Sequence, residues 1–431
     1  MHAVILSIGD ELVLGQTVDT NSAFLSAELA TLGIGTLYHQ TVADDQLAIA
    51  TAIRQASSSA QLVLISGGLG PTDDDLTRQA LAEAMGVDLV RDEASIEAIK
   101  AMFDRIGRPM SKRNEIQAMH PRSSQMISND CGTAPGICAE LNGAVIYVAP
   151  GVPHELFAMF EKSILPQLQQ YKASRHVILT AKVNTFGLGE SHVAQKLEGL
   201  TDRDRNPLVG TTVSEGIVAV RVRSEFADRA TTQQQLDRTI EQVQQRLGAA
   251  VFGREDETIQ QSLVEMLRQR GMKVATAESC TGGLLGEMIT QVSGSSDVYI
   301  GGWVTYSNEM KEALGVAAAL IERHGVVSQP VVESMASCAA LRCGADAALA
   351  ITGVAGPQGG SVDKPVGTVW VGLAYRNAGE QAEYKTESLL LKLTGNRRAI
   401  RDRAAKSAVQ MLRLRLRGEP NRRIVIRQAH V

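Results

Sequence analysis

Two hydrophobic rhythms alternate along the chain. Residues 4–8 form an apolar run that stops at Gly9. Phe24, Leu25, Leu29 and Leu32 then recur at helical spacing. Residues 38–42 predict a second strand, and Leu47, Ile49 and Ile53 a second helix. Residues 62–65 (Leu-Val-Leu-Ile) predict a third strand, ending in Ser66-Gly67-Gly68, with a helix over 77–85. A further buried strand is predicted at 144–148 and a helix at 156–168. Fully apolar strands alternating with amphipathic helices imply a parallel sheet covered on both faces.

Near residue 171 the pattern changes. Strands are predicted at 177–180 and 217–222. Leu236, Ile240, Val243 and Leu247 mark one helix face within a glutamine-rich stretch. This reads as a small α+β module, with Gly187-Leu188-Gly189 as a tight turn. After a polar break at 253–257, Thr258 and Gln261 make a capping box at the start of a helix. The α/β rhythm then returns. Strands are predicted at 274–277, 299–306, 345–352 and 368–375, and helices at 281–292, 330–342 and 397–416. The expected fold class is therefore two distinct α/β domains joined by a small α+β module. The expected boundaries are 1–170, 171–256 and 257–417, followed by a basic tail at 418–431.

Composition narrows the function classes. The 431 residues are 44% hydrophobic and 21% charged, which excludes disorder and fibrous repeats. The net charge of −4 is uneven: residues 413–431 hold six arginines and one acid, so the preceding body is acidic. Aromatics at 4% are poor material for stacking bases, and nucleic acid is not an expected partner. The expected role of the basic tail is a docked or disordered end without catalytic consequence. Five cysteines without Cys-x-x-Cys argue against a zinc site and a disulfide framework, and favour a cytosolic location. The opening residues read as a strand rather than a signal peptide, and no apolar run is long enough to span a bilayer.

Two loops of the first domain follow strand ends, where ligands of open α/β sheets sit. One is Gly9-Asp10-Glu11, leading to Asp19-Thr20-Asn21. The other is Ser66-Gly67-Gly68-Leu69-Gly70-Pro71-Thr72-Asp73-Asp74-Asp75. Adjacent glycines let backbone N–H groups approach a phosphate. The carboxylates Asp10, Glu11, Asp74 and Asp75 would repel one another without a hard cation such as Mg²⁺. Phosphate, metal and carboxylates together suggest cleavage of a phosphoanhydride. The competing reading is that the aspartates only cap a helix.

In the last domain, residues 274–277 lead into Glu278-Ser279-Cys280-Thr281-Gly282-Gly283. A strand–turn–helix there would set Ser279 or Cys280 at a helix N-terminus, where N–H groups can hold an oxyanion. The structural alternative is that Ser279 or Thr281 is an N-cap. Tyr306 and Lys311 sit in a strand-end loop and are candidate proton carriers. A Ser–Lys or Ser–Tyr–Lys set can transfer an acyl group without histidine. The loop Thr352-Gly353-Val354-Ala355-Gly356-Pro357 could pass close to a phosphate.

These motifs carry a resemblance. The Gly9-Asp10-Glu11 and Ser66–Thr77 loops resemble the N-terminal, molybdopterin-binding-like domain of the competence/damage-inducible CinA family. Glu278-Ser279-Cys280-Thr281-Gly282-Gly283, Tyr306-Ser307-Asn308-Glu309-x-Lys311, Gly353-x-Ala355-Gly356-Pro357 and Lys364-Pro365-Val366-Gly367-Thr368 resemble its C-terminal nicotinamide-nucleotide amidase domain. The resemblance implies hydrolysis of nicotinamide mononucleotide to nicotinate mononucleotide and ammonia, within pyridine nucleotide salvage. Ser279 would be the nucleophile, with Tyr306 and Lys311 handling protons. Thr352, Gly353, Gly356 and Arg397 would bind substrate, and no cofactor is needed. It also implies a metal-dependent ADP-ribose pyrophosphatase in the first domain, with Asp75, Asp74, Asp10 and Glu11 toward the metal and Gly67, Gly68 and Asn21 toward substrate. The middle module resembles the family's KH-like domain but lacks a Gly-x-x-Gly loop. A homodimer is implied. An alternative from another class is a non-catalytic nucleotide- or pterin-binding protein linked to competence or DNA damage.

Overall fold

The structure is a computed structural model and describes residues 1–169, 177–376 and 383–420. Most of the basic tail, from residue 421, lies outside the described residues. The chain divides into two compact units, residues 1–179 with 224–233, and residues 180–223 with 234 onward.

The first unit is built on a six-stranded sheet in the order Gly35–Val42, His2–Ile8, Leu62–Ser66, Ala144–Ala149, Gly136–Leu141, Gln125–Ile127. The first four strands are parallel and the last two antiparallel. Side chains along a strand point alternately to opposite faces. Val4 and Leu6 accordingly pack with Ile49, Ile53 and Leu81 of the helices Gln46–Ser59 and Thr77–Met85. Ala3 and Ile5 face the other way, with Leu25 and Leu29 of Thr20–Thr31 and Phe160 and Leu168 beyond. Both faces are covered, which is why residues 4–8 read as one apolar run. The antiparallel pair was not predicted; its exposed and half-buried positions break the apolar signal.

The C-terminal domain has a five-stranded sheet in the order Tyr299–Val304, Val274–Glu278, Ala347–Gly353, Thr368–Tyr375, Lys385–Lys392. The first three strands are parallel and the last two antiparallel. The helices Ile259–Arg270, Leu284–Thr290 and Arg397–Leu416 cover one face, and Gln329–Cys343 the other. The Thr258–Gln261 capping box forms as the sequence predicts.

Two local expectations are corrected. The helix predicted from 281 begins only at Leu284, because Gly282 and Gly283 take φ of 58° and 97° and keep 279–283 as a turn. Lys311 lies not in a loop but on the helix Asn308–Leu314, whose N-cap Ser307 accepts the Met310 N–H.

The middle module has a four-stranded sheet in the order Leu208–Ser214, Ile217–Phe226, Val177–Phe186, Val251–Arg254, with helices Glu190–Lys196 and Arg229–Leu247. Gly187 and Gly189 form the turn into the first of these helices. Phe186, Ala249 and Phe252 belong to the same apolar cluster as the helix Arg397–Leu416. From that helix, Gln410 Nε2 donates to Phe186 O at 3.3 Å and Arg413 to Val251 O at 3.2 Å. The module therefore shares a core with the C-terminal domain. Among the described residues no helix is long and apolar enough to cross a membrane.

Candidate functional sites

In the first unit, His2–Ile8 and Leu62–Ser66 are neighbouring parallel strands whose connections go to helices on opposite faces of the sheet. The loops after them flank a crevice of the kind that accepts ligands. Gly67 and Gly68 adopt φ of 105° and 68°. A Cβ on Gly67 would stand 2.3 Å from Ile8 O, and one on Gly68 2.0 Å from Thr77 Oγ1. Both glycines are thus demanded by close packing of the chain itself.

Asp75 turns inward. Its carboxylate accepts the Gly70 N–H at 2.7 Å, the Thr72 N–H at 2.9 Å and the Thr72 hydroxyl. Arg78 gathers the loop's carbonyls, donating to Gly70 O at 3.1 Å and Leu69 O at 2.5 Å. Burial pulls this guanidinium down to about 10, against the attraction of Asp75. The loop is thus folded by one acid and one base of its own.

The other acids form a separate group. Asp10 and Asp44 are reciprocally bonded, each carboxylate accepting the other's backbone N–H at 2.9 and 3.1 Å. Partial burial raises the Asp44 carboxyl above its ordinary value, and the charges of Asp10, Glu11 and Asp74 push the same way, against the Asp10 N–H. Among the described residues no three acids, histidines or cysteines are already gathered as a metal site. Asn21 Nδ2 donates to Ser66 Oγ and Gly151 O, both at 2.8 Å, tying together the ends of two strands. Asp19 caps the helix that carries it; burial opposes ionisation, but bonds from Ser22 and Ser7 hold it below the ordinary value. Sequence reasoning assigned no role to Asp44 or Arg78.

In the C-terminal domain, three parallel strands end at one edge. Ser279 follows Glu278, paired with Ile351, and the Ser279 N–H donates to Ile351 O at 2.9 Å. Lys311 is 1% exposed. Its Nζ lies 3.4 Å from Ser279 Oγ and donates to the carbonyls of Thr305 at 2.8 Å, Ser307 at 3.4 Å and Tyr306 at 3.5 Å. Desolvation lowers its pKa, outweighing the attraction of Cys280 and Glu309. A buried amine with a lowered pKa beside a serine hydroxyl is equipped to accept its proton.

Cys280 is placed differently. It is buried, and desolvation raises its thiol to about 11, which leaves it protonated and unreactive at neutral pH. Of the two candidates left open by sequence chemistry, Ser279 has the base.

The expected oxyanion site at the helix N-terminus is not formed. The Glu278 carboxylate accepts the N–H groups of Gly283, Leu285 and Gly286 at 3.1, 2.9 and 2.8 Å, and so occupies that helix end.

The remaining candidates lie around the same edge. The Tyr306 hydroxyl accepts from Arg397 at 3.2 Å and is exposed; its bond is to arginine and not to the Ser279–Lys311 pair. Arg397 also donates to Gly356 O at 2.8 Å, so it bridges the glycine-rich loop and Tyr306. Thr352 is buried, with its hydroxyl donating to Val326 O at 2.8 Å. A Cβ on Gly353 would stand 2.8 Å from Thr368 O, so this glycine too serves packing. Arg401, one turn beyond Arg397, donates to Thr281 O at 2.5 Å. It was missed, although its i,i+4 spacing from Arg397 puts it on the same helix face.

Comparisons with known proteins agree with this division. Residues 4–170 match the probable molybdopterin binding domain, 180–253 the damage-inducible protein CinA KH domain, and 256–416 the CinA C-terminal domain. A CinA-like protein of Geobacter sulfurreducens is 39% identical over 418 residues, covering 96% of this chain and 99% of its own. A CinA-like protein of Dictyoglomus thermophilum is 36% identical over 414 residues, covering 96% and 98%. Among solved structures, a Thermoplasma acidophilum CinA is 34% identical, covers 39% of this chain and 97% of its own, and has a TM-score of 0.37. Similarity that runs almost end to end through the three domains in order means that the chain belongs to the CinA family.

Proposed function

We propose that the chain hydrolyses the carboxamide of nicotinamide mononucleotide through a Ser279–Lys311 pair. The observation that carries this reading is the buried Lys311 amine, lowered in pKa and 3.4 Å from Ser279 Oγ. Ser279 Oγ attacks the carboxamide carbon while Lys311 Nζ takes the hydroxyl proton. The tetrahedral adduct collapses as Lys311 returns the proton to the departing ammonia. Lys311 then deprotonates a water that attacks the acyl-Ser279 ester, and returns that proton to Ser279 Oγ as the ester bond breaks and nicotinate mononucleotide leaves. The backbone N–H groups of Cys280 and Thr281 have no carbonyl acceptor among the described residues. Following the nucleophile directly, they are the candidate oxyanion donors. Arg397 supplies the bidentate geometry that suits a phosphate. Ammonia release by wild type, Ser279→Ala and Cys280→Ala tests the assignment. The serine variant should lose activity and the cysteine variant keep it; the reverse would transfer the role to Cys280.

The acid group of the first unit supports a second activity, metal-dependent cleavage of ADP-ribose to AMP and ribose 5-phosphate. Asp10, Glu11, Asp44 and Asp74 would hold a divalent ion such as Mg²⁺. Bound there, the ion would neutralise phosphoanhydride oxygens. The hard oxygen donors, and the like charges of Asp10, Glu11 and Asp74 facing a partly buried Asp44, fit such an ion. Chelator should abolish AMP formation and spare ammonia release; AMP formed equally fast in excess chelator would exclude the metal. On this reading the partners are small nucleotides and a second copy of the chain in a cytosolic homodimer.

A further inference from the structure

Two charged residues at the C-terminal site take no part in the steps above. Glu278 immediately precedes Ser279 and is 1% exposed. A carboxylate at that depth needs donors, and it finds them five to eight residues on. Its Oε2 accepts from Gly283 and Leu285, and its Oε1 from Gly286. Its main-chain carbonyl accepts the Thr305 N–H at 2.7 Å. The Thr305 carbonyl in turn holds Lys311 Nζ at 2.8 Å. One residue therefore ties the nucleophile's turn with its side chain and the base's anchor with its main chain.

Arg401 grips the turn from the last helix, through its 2.5 Å bond to Thr281 O. The Ser279 N–H is held by the neighbouring strand at Ile351 O. The turn 279–283 is thus fixed from three elements, at its first residue, its middle and its end. The turn has left-handed glycines at 282 and 283 and little rigidity of its own.

We infer that Glu278 and Arg401 are positioning residues that hold Ser279 Oγ in line with Lys311 Nζ. For the identity of the reaction this rests on the amidase reading; for the reactivity of Ser279 it does not. Glu278→Gln keeps the shape but turns one acceptor oxygen into a donor facing N–H groups, so at least one of the three bonds is lost whichever way the amide is set. Arg401→Met removes the grip on Thr281, whereas Arg401→Lys keeps one donor. Small misplacement of a reacting group costs on the order of a hundredfold in rate.

The test uses the full chain and two readouts: steady-state deamidation of nicotinamide mononucleotide, and the rate at which a fluorophosphonate labels Ser279, located by mass spectrometry. Thermal melting followed by circular dichroism identifies any variant that has not folded. Glu278→Gln and Arg401→Met should label at least about tenfold more slowly than wild type. Their kcat should fall in parallel, with KM within about twofold. Arg401→Lys should recover much of the labelling rate. Labelling at the wild-type rate in folded Glu278→Gln and Arg401→Met overturns the inference and leaves the amidase reading standing. Labelled wild type that releases no ammonia sinks the amidase reading, while the labelling ratios still decide the positioning role. Wild type that takes no label at Ser279 overturns both. If Glu278→Gln does not fold, the two Arg401 variants decide.

Discussion

Replacing Lys311 by methionine isolates its role as a base. The methionine chain fills the same buried slot, but no group remains to accept the Ser279 proton. General-base assistance is worth roughly 10²–10⁴ in rate. At about 1.36 kcal/mol per decade, that is about 2.7–5.4 kcal/mol of activation free energy. The Nζ–Oγ separation of 3.4 Å is long for a strong hydrogen bond, so the resting contact contributes little. The loss should therefore fall on kcat, with KM nearly unchanged. Stability should change less. The carbonyls of Thr305, Tyr306 and Ser307 lose a donor, but the chain no longer holds a buried amine. Lys311→Arg is the companion variant: it keeps a cation and its donors but cannot give up a proton at any working pH. The assay is ammonia release from nicotinamide mononucleotide across pH. In wild type, kcat/KM should rise with pH and level off below the ordinary lysine range, because burial lowers the Lys311 pKa. A kcat within about threefold of wild type in both variants, against the 10²–10⁴ expected, would refute the base assignment.

Other consequences follow from the same geometry. Cys280→Ala should keep kcat within about threefold of wild type, and iodoacetamide should label Cys280 only slowly at pH 8, because its thiol sits at about 11. That raised value also makes a stability prediction. The contribution is complete below pH 9 and disappears as pH climbs through about 11, a span worth about 3 kcal/mol that urea midpoints of wild type and Cys280→Ala should resolve. Gly68→Ala drives a Cβ to 2.0 Å from Thr77 Oγ1, so ADP-ribose cleavage should collapse while deamidation persists in the same preparation. Asp74→Asn should weaken metal dependence without lowering the melting temperature. Asp75→Ala should lower the melting temperature, since it strands the part-buried Gly70 N–H at up to about 1–3 kcal/mol, whereas the exposed Thr72 N–H can turn to water.

What the sequence made legible follows from where each element is buried. Strands buried on both faces, such as His2–Ile8 and Ala347–Gly353, are mostly apolar and were predicted close to their observed limits. The helix Arg397–Leu416 was predicted at its observed bounds. The strand Lys385–Lys392 was not, because it lies at the sheet edge with only Leu391 fully buried. Gly136–Leu141 is paired on both sides, but exposed Glu140 and half-buried Cys138 and Leu141 break its apolar run. Lys311 was found as a candidate from its loop motif, yet its value as a base depends on burial. No local pattern announces burial of a lysine four residues into a seven-residue helix.

The acids show most clearly why residue type alone does not reveal function. Asp74 and Asp75 are adjacent and chemically identical. One is fully exposed and contributes to the field at Asp44; the other is spent on the N–H groups of its own loop. Glu278 and Ser279 are likewise adjacent, and the acid beside the proposed nucleophile is spent on the following helix. In both places a carboxylate next to a proposed site residue folds the loop that carries it. A glycine-rich turn has little rigidity of its own, and a buried acid bonded to several N–H groups supplies it at a cost in desolvation that those bonds offset. The glycines expected near a phosphate are also required by the packing of the chain itself. Gly67 and Gly68 let the chain close on Ile8 and Thr77, in the same fold that brings the charges of Asp10, Glu11 and Asp74 to bear on Asp44.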